Sequence, residues 1–172
     1  PSGTGKTTLA RLMAEGLDCQ DVLEVDAATN NGVDEMRNVT SNLRYKSFSG
    51  SGNKAIMLDE SHMLSKSSWN SLLKSIEEPP DHVYWFILTT EAGKVPATIK
   101  TRCVNYKLTP VSVDDLFDLI AGVADDEQLD TPEEVIEVAA KNASGSPRQA
   151  LVNLTTVANC SDRQEAAKLL RT

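Results

Sequence analysis

Pro1-Ser2-Gly3-Thr4-Gly5-Lys6-Thr7-Thr8 opens the chain. One glycine before Pro1 would complete the pattern G-x-x-x-x-G-K-[ST], a loop whose inward-pointing backbone N–H groups cradle phosphates. The sequence therefore starts one residue inside its own motif, and we expect it to be a fragment of a longer protein. Within the motif, Lys6 supplies a mobile positive charge for the β and γ phosphates. The hydroxyl of Thr7 is the expected Mg²⁺ ligand.

A glycine-rich turn that binds nothing is the alternative interpretation of this stretch. The residues that follow argue against it, because Leu9, Leu12 and Met13 recur at helical spacing. A phosphate-binding loop must lead directly into a helix, whose N-terminus adds partial positive charge to the cradle. We therefore expect a polyphosphate site here.

Composition bounds the class of protein. With 172 residues, 40% of them hydrophobic, the chain can form one sizeable domain, or one domain and a small second one. Its cysteines, Cys19, Cys103 and Cys160, are far apart, and the sequence has only two histidines. This spacing argues against a zinc site and a disulfide framework, and favours a reducing compartment. No run of 18 apolar residues suggests a membrane span.

Charge is unevenly distributed along the chain. The net charge is −8, but residues 1–107 hold 12 basic and 13 acidic groups and are nearly neutral. Residues 108–140 hold ten acidic groups and no Lys or Arg, and residues 141–172 hold five basic and two acidic groups. The acidity belongs to one segment, so a local basic patch for a nucleic acid remains compatible with the sequence.

Strand and helix patterns alternate through the first two thirds of the chain. The apolar run Ala55-Ile56-Met57-Leu58 indicates a strand buried on both faces of a parallel sheet. Ser65 is placed to cap a helix that begins near Lys66 and stops at Pro79-Pro80. The other expected elements are a strand at 22–26, another buried strand at 83–88 and a helix from about residue 33 to Tyr45. This alternation of strands and helices predicts an α/β fold with its functional site at the carboxyl ends of the strands.

Helical patterns dominate after Thr109-Pro110. We expect an ATPase core over residues 1–109 and a small all-helical domain over residues 110–172. The predicted helices of the second domain are 113–123, 133–140, 147–158 and 162–170.

Asp59-Glu60 ends the buried strand, where a nucleotide-hydrolysing protein needs acidic groups. We expect Asp59 to hold the Mg²⁺, through water, and Glu60 to orient and deprotonate the attacking water. Thr90 ends the neighbouring strand and is placed to touch the γ phosphate or that water. Its alternative role is to cap a turn.

The sequence between these motifs resembles a known family. The run from Asp59-Glu60-Ser61-His62-Met63-Leu64-Ser65 to Glu77-Glu78-Pro79-Pro80 is similar to the ATPase subunit of bacterial clamp loaders, the gamma/tau component of DNA polymerase III. Residues 25–28, 98–103 and 145–151 also match in the family's order. The resemblance implies the AAA+ form of the phosphate-loop fold, with a parallel sheet, flanking helices and a helical lid.

The resemblance also implies roles for three residues. Thr90 matches the family's first sensor. Arg102, in Thr101-Arg102-Cys103, matches an arginine that reaches the ATP of the neighbouring subunit, although Thr101 replaces the family's serine. Arg148 matches the second sensor, a lid arginine that contacts the γ phosphate of its own subunit. Both arginine roles suit a guanidinium, which stays charged and binds phosphate through parallel hydrogen bonds. A surface ion pair is the alternative for either arginine.

DNA contacts are implied less directly. In the family, basic side chains and helix N-termini hold the backbone of primer–template duplex without reading its sequence. Lys74 and Lys94 match such positions. Asn30 and Gly32 fall where the bacterial subunit has basic residues, so only an amide or a backbone contact remains there. The family's cysteine-rich zinc module has no counterpart here. This compact form also resembles phage clamp loaders and the small subunits of replication factor C, and no zinc is expected.

Taken together, the resemblance implies an ATP- and Mg²⁺-dependent clamp-loader motor in the cytoplasm of a bacterium or a phage-infected cell. Its expected partners are other clamp-loader subunits, a sliding clamp and primed DNA, and no membrane. The collar domain of the family is expected beyond Thr172, and the strand before the loop ahead of Pro1. Two alternatives stay open: another AAA+ or helicase-like nucleic-acid motor, since residues 59–62 fit a D-E-x-H pattern, and a non-hydrolysing structural clamp-loader subunit.

Overall fold

A computed structural model describes residues 2–47 and 50–171 of the chain. The chain divides into two compact units. One comprises residues 6–106, and the other comprises residues 107–172 together with residues 1–5. The division lies close to Thr109-Pro110, and it groups the first five residues with the helical part of the chain.

The strands described in the first unit form a parallel sheet in the order β1-β2-β3. The strands are β1 (Cys19–Asp26), β2 (Asn53–Asp59) and β3 (Val83–Ile87). Asp26 pairs with Asp59 across β1 and β2, so acidic residues from two strands meet at the carboxyl edge. The predicted parallel α/β arrangement is confirmed.

Burial differs among the strands. Ala55, Ile56, Met57 and Leu58 are all buried, which confirms the prediction for β2. The prediction that residues 83–88 form another fully buried strand is wrong, since only Val83 of β3 is buried and Leu88 follows the strand. The physical reason is position, because β3 is at an edge of the described sheet and β2 is flanked on both sides.

Helices cover the sheet in this unit. Their bounds are α1 (Lys6–Gly16), α2 (Val33–Ser41), α3 (Lys66–Glu77) and α4 (Ala97–Lys100). Helix α1 buries Ala10 and Ala14, whereas Leu12 is exposed. The sequence pattern extended α2 to Tyr45, but α2 ends at Ser41 and a 3₁₀ turn continues through Arg44. In α3, Ser65 caps the helix by accepting a hydrogen bond from the Ser68 N–H at 3.1 Å, as predicted.

The second unit is helical, as expected for residues 110–172. Its helices are α5 (Val113–Asp126), α6 (Glu133–Lys141), α7 (Pro147–Val157) and α8 (Arg163–Leu169). Leu116, Ile120, Val135 and Val157 are fully buried at its centre. No helix among residues 2–47 and 50–171 is both long and apolar enough to cross a membrane.

Candidate active site

Thr7 and Asp59 meet at the carboxyl end of β2. Thr7 lies in the first turn of α1, and its hydroxyl donates a 2.8 Å hydrogen bond to Oδ2 of Asp59. The other carboxylate oxygen of Asp59 accepts the backbone N–H of Glu60 at 2.8 Å. Asp59 is thus held from two sides, and the phosphate-binding helix and the acidic strand end are joined by a direct contact.

Glu60 has an unusual backbone conformation. Its φ of 45° places it in the left-handed region, which a non-glycine residue adopts at a cost of about 1–2 kcal/mol. Two contacts hold this turn in place beyond the bond to Asp59. The Ser61 N–H and hydroxyl donate to the Leu88 carbonyl at 2.9 and 2.8 Å. Backbone strain of this kind concentrates at functional sites.

Thr90 lies beside Glu60. Its hydroxyl donates a 3.1 Å hydrogen bond to Oε2 of the Glu60 carboxylate. Both side chains are partly buried, so water competes weakly for this contact. The polar end of the neighbouring strand therefore touches the group expected to act on the attacking water.

The same carboxylate faces a histidine that sequence reasoning assigned no role. Nδ1 of His62 lies 3.3 Å from Oε2 of Glu60, and Nε2 lies 3.3 Å from Oε1 of Glu91. Lys94 pairs with that same Glu91 oxygen at 2.9 Å. The Lys94 hydrogen bond is the main cause that lowers the pKa of Glu91, with a smaller contribution from His62. The feature of the sequence that could have indicated this contact is the D-E-x-H spacing, which places His62 two residues after Glu60.

The oxygen atoms at this strand end fit a magnesium ion. Mg²⁺ prefers oxygen ligands and is usually held by one or two carboxylates, waters and substrate phosphates. Thr7 and Asp59 present a hydroxyl and a carboxylate in contact. In the part of the chain that the structure describes, no group of three or more His, Cys, Asp or Glu side chains is arranged to hold a metal ion. A site at Thr7 and Asp59 would thus rely on the nucleotide and water for its remaining ligands.

The start of the phosphate loop contacts the start of α7. The carbonyl of Gly3 accepts a 3.2 Å hydrogen bond from the Ser146 hydroxyl, and the Arg148 N–H lies 3.5 Å from it. A Cβ atom on Gly3 would be 2.2 Å from Oγ of Ser146, and the φ of 70° at Gly3 also favours glycine. The backbone of Arg148 therefore contacts the loop, and the side chain of Arg148 is exposed.

Other predicted loop residues are placed as follows. Gly5 has a φ of 90°, a conformation that favours glycine. Lys6 begins α1, and Thr8 follows in its first turn. Ser2 and Thr4 precede the helix. Pro1, also predicted to bind nucleotide, lies outside the described residues.

Arg102 follows α4 and has two partners. Its Nη2 is 2.6 Å from Oε1 of Glu77, and its Nη1 donates to the Thr98 carbonyl at 2.6 Å. Glu77 belongs to the run that carries the family resemblance. Its spacing from Arg102 in the sequence does not indicate this contact.

The candidate DNA contacts are not joined to one another by any hydrogen bond or ion pair among the described residues. Lys74 is exposed in the last turn of α3, and Lys94 is paired with Glu91. The Asn30 amide donates to the Asp26 carbonyl and the Thr29 hydroxyl. At Gly32 a Cβ atom would be 2.2 Å from a carboxylate oxygen of Glu35, and that negative charge works against a phosphate there. The DNA contacts stay predictions.

Comparison with solved structures supports the fold. The Thermotoga maritima RuvB Holliday junction branch migration motor matches with a TM-score of 0.80 over 99% of this chain and 59% of that chain. The two sequences are 22% identical, so this likeness concerns the fold alone. It confirms the phosphate-loop AAA+ fold predicted from the sequence.

Comparison with protein sequences identifies the family. A DNA polymerase III subunit gamma of Buchnera aphidicola subsp. Schizaphis graminum is 36% identical over 172 residues, covering 87% of this chain and 47% of the relative. A DNA polymerase III subunit tau of Bacillus subtilis is 34% identical over 174 residues, covering 88% of this chain and 31% of the relative. The chain spans at most about half the length of these relatives.

The sequence profile of a family described as DNA polymerase III, delta subunit, matches residues 20–112. That match extends from β1 past Arg102 and includes the Asp59-Glu60 strand end. The resemblance to gamma/tau clamp-loader subunits, inferred from motifs, is thereby confirmed. The chain belongs to the family described as DNA polymerase III, delta subunit, and is a gamma/tau-like protein with the AAA+ fold.

Proposed function

We propose that this chain is the ATPase core and lid of a clamp-loader motor subunit, which opens a sliding clamp and loads it on primed DNA during replication. The observation that carries the proposal is the continuous set of contacts from Thr7 through Asp59 and Glu60 to Thr90. A purely structural subunit has no need of this set together with Lys6. The proposed partners are other clamp-loader subunits, the clamp and the backbone of primer–template DNA.

In the proposed reaction, water attacks the γ phosphorus of ATP, the bond to the β-phosphate oxygen breaks, and ADP and phosphate leave. Glu60 accepts the proton of the water, and the Thr90 hydroxyl orients its carboxylate. Lys6 and the loop N–H groups bind the phosphates, and Arg148 joins them from the lid. Thr7 and Asp59 would hold a Mg²⁺ ion, which would supply positive charge to the phosphate oxygens. Arg102 of one subunit completes the site of its neighbour.

The experiment is steady-state ATP hydrolysis by the full-length protein, reconstituted with its clamp and the other loader subunits, with and without primed DNA. Turnover should require both clamp and primed DNA for full stimulation. Glu60→Gln should lower kcat by about 10²- to 10⁴-fold, the contribution of a general base, while ATP still binds. Glu15→Gln, an exposed carboxylate on α1, is the matched control and should leave kcat unchanged.

Two results would contradict the proposal in different ways. Equal stimulation by any DNA without a clamp would favour another nucleic-acid motor of the same fold. Turnover that never depends on Glu60 would favour a structural subunit.

A further inference from the structure

Arg102 is held by two different elements of its own chain. One terminal nitrogen of its guanidinium is 2.6 Å from the carboxylate of Glu77, and the other donates to the Thr98 carbonyl at 2.6 Å. Glu77 is the last residue of α3, and Thr98 lies in α4. The guanidinium is therefore fixed at both ends of its fork by groups that are far apart in sequence.

The two elements that supply these contacts are anchored in the same core. Ile76, directly before Glu77, is 6% exposed, and Ile99, directly after Thr98, is 1% exposed. Both belong to one cluster of buried side chains. The backbone that carries each partner of Arg102 is thus set by packing.

Arg102 keeps hydrogen-bonding capacity in this arrangement. A guanidinium has five N–H donors, and its one hydrogen bond to a described residue, to the Thr98 carbonyl, uses one of them, which leaves four. The side chain is 40% exposed, so these donors are accessible to an external group. A pre-ordered arginine loses less rotamer freedom when it binds phosphate than a freely moving one, which favours rapid and well-aligned engagement.

We propose that Glu77 is a positioning residue, which orients Arg102 for the phosphate group of a nucleotide bound to the neighbouring subunit. This inference rests on the proposed function, because it takes the trans role of Arg102 as given. An ordinary exposed ion pair contributes little by itself. Here the second contact, to the Thr98 carbonyl, converts the pair into a two-point clamp on a planar group, and two points define an orientation.

Glu77→Gln tests the inference in the full-length protein assembled with its clamp, partner subunits and primed DNA. The amide has the shape of the carboxylate but lacks its charge, so kcat should fall about 10-fold, within the roughly 100-fold loss that a misplaced group can cause. The KM for ATP should stay within about twofold, since Glu77 lies at the end of α3 and belongs neither to the phosphate loop nor to the Asp59-Glu60 strand end. Glu77→Asp, which retains the charge but shortens the reach, should also lower kcat.

Glu78→Gln is the matched control. Glu78 is the adjacent exposed carboxylate, and its side chain has no hydrogen bond or ion pair with a described residue. It should leave kcat unchanged. Arg102→Ala sets the scale of the full effect, about 10³-fold or more for a trans arginine.

Mixed assemblies give a readout that a merely structural role of Glu77 would not move. Wild-type subunits are diluted with subunits that carry Glu60→Gln and therefore do not turn over. Adding Glu77→Gln to those silent subunits should reduce the turnover of their wild-type neighbours, and adding Glu78→Gln should not. Incorporation of each variant is checked by the mass of the assembly.

Each contrary result has its own meaning. If Arg102→Ala abolishes turnover but Glu77→Gln behaves like Glu78→Gln, the positioning role is overturned and the proposed function stands. A faster rate with Glu77→Gln would also overturn it, since Glu77 would then restrain Arg102. If Arg102→Ala itself has no effect, the trans role in the proposed function falls.

Discussion

Thr90 offers the sharpest test at the scale of single residues. Thr90→Val keeps the shape of the side chain and removes the hydroxyl that donates to Glu60. One hydrogen bond to a charged group contributes about 1.5–3 kcal/mol, so kcat should fall about 10- to 100-fold. The KM for ATP should change little if Thr90 acts through Glu60.

Thr40→Val is the control for this substitution. Among the described residues, the Thr40 hydroxyl donates to the Arg37 carbonyl in its own helix and to neither Asp59 nor Glu60. Steady-state ATP hydrolysis by the reconstituted assembly compares the two variants. A Thr90→Val rate equal to the wild-type rate would show that Glu60 needs no partner on the neighbouring strand.

Residue positions were predictable from sequence where a motif defines its own geometry. Thr7 follows the loop lysine and Asp59 ends an apolar strand, so their types and spacing already indicate a magnesium site. The contacts of His62 with Glu91 and of Glu77 with Arg102 join residues that are 25 or more positions apart. Such contacts depend on how helices and turns pack, and no local pattern encodes them.

At the scale of elements, the turn before α7 depends on a glycine. Gly145 has a φ of 77°, and a Cβ atom there would lie 2.4 Å from Cβ of Pro110. Its carbonyl also accepts the Val111 N–H at 2.9 Å, which ties the turn to the residues before α5. Gly145→Ala should therefore lower the free energy of unfolding by about 1–3 kcal/mol or more.

Gly122→Ala should act in the opposite direction. Gly122 lies inside α5 and a Cβ atom there meets nothing within 4 Å. Alanine should raise the free energy of unfolding by about 0.5–1 kcal/mol, because glycine costs more backbone entropy in a helix. Urea unfolding followed by circular dichroism compares the pair. Equal destabilisation by both would contradict the role given to the backbone of Gly145.

Element types were more predictable than their limits. Apolar runs and helical spacing located β2 and α3, with Ser65 at the cap and Pro79-Pro80 after the end. Sequence reasoning missed α4, since a helix of four residues is too short to show a period. It also assigned β3 the burial of a central strand, because an apolar run has the same composition whether a neighbouring strand covers it or not.

At the scale of the whole molecule, DNA binding should depend on Lys74. Removing the charge of one lysine that contacts a phosphate reduces the magnitude of the slope of log affinity against log salt concentration by about 1. It also weakens binding to all DNA sequences alike. Lys74→Gln should have this effect in the reconstituted assembly, measured by fluorescence anisotropy with primed DNA over a range of salt. Lys168→Gln, an exposed lysine on α8, is the control and should not. The same slope for both variants would remove Lys74 from the interface.

The charge of the whole chain predicts that contacts with DNA are local. The net charge of −8 opposes nonspecific attraction to DNA, and the acidic stretch at residues 108–140 accounts for it. The lysines predicted to contact the duplex backbone, Lys74 and Lys94, lie within residues 6–106, where the charge is nearly balanced.

The amount of clamp linked to primed circular DNA tests the central claim most directly. The full-length protein, its partner subunits, the clamp and ATP are incubated with the DNA, and linked clamp is separated from free clamp by size. We expect that linking the clamp to the DNA requires ATP and primed DNA. ATP turnover by the DNA-bound clamp loader should be lost in Glu60→Gln and retained in Glu15→Gln. ATP hydrolysis that is stimulated by DNA while no clamp becomes linked would contradict the account.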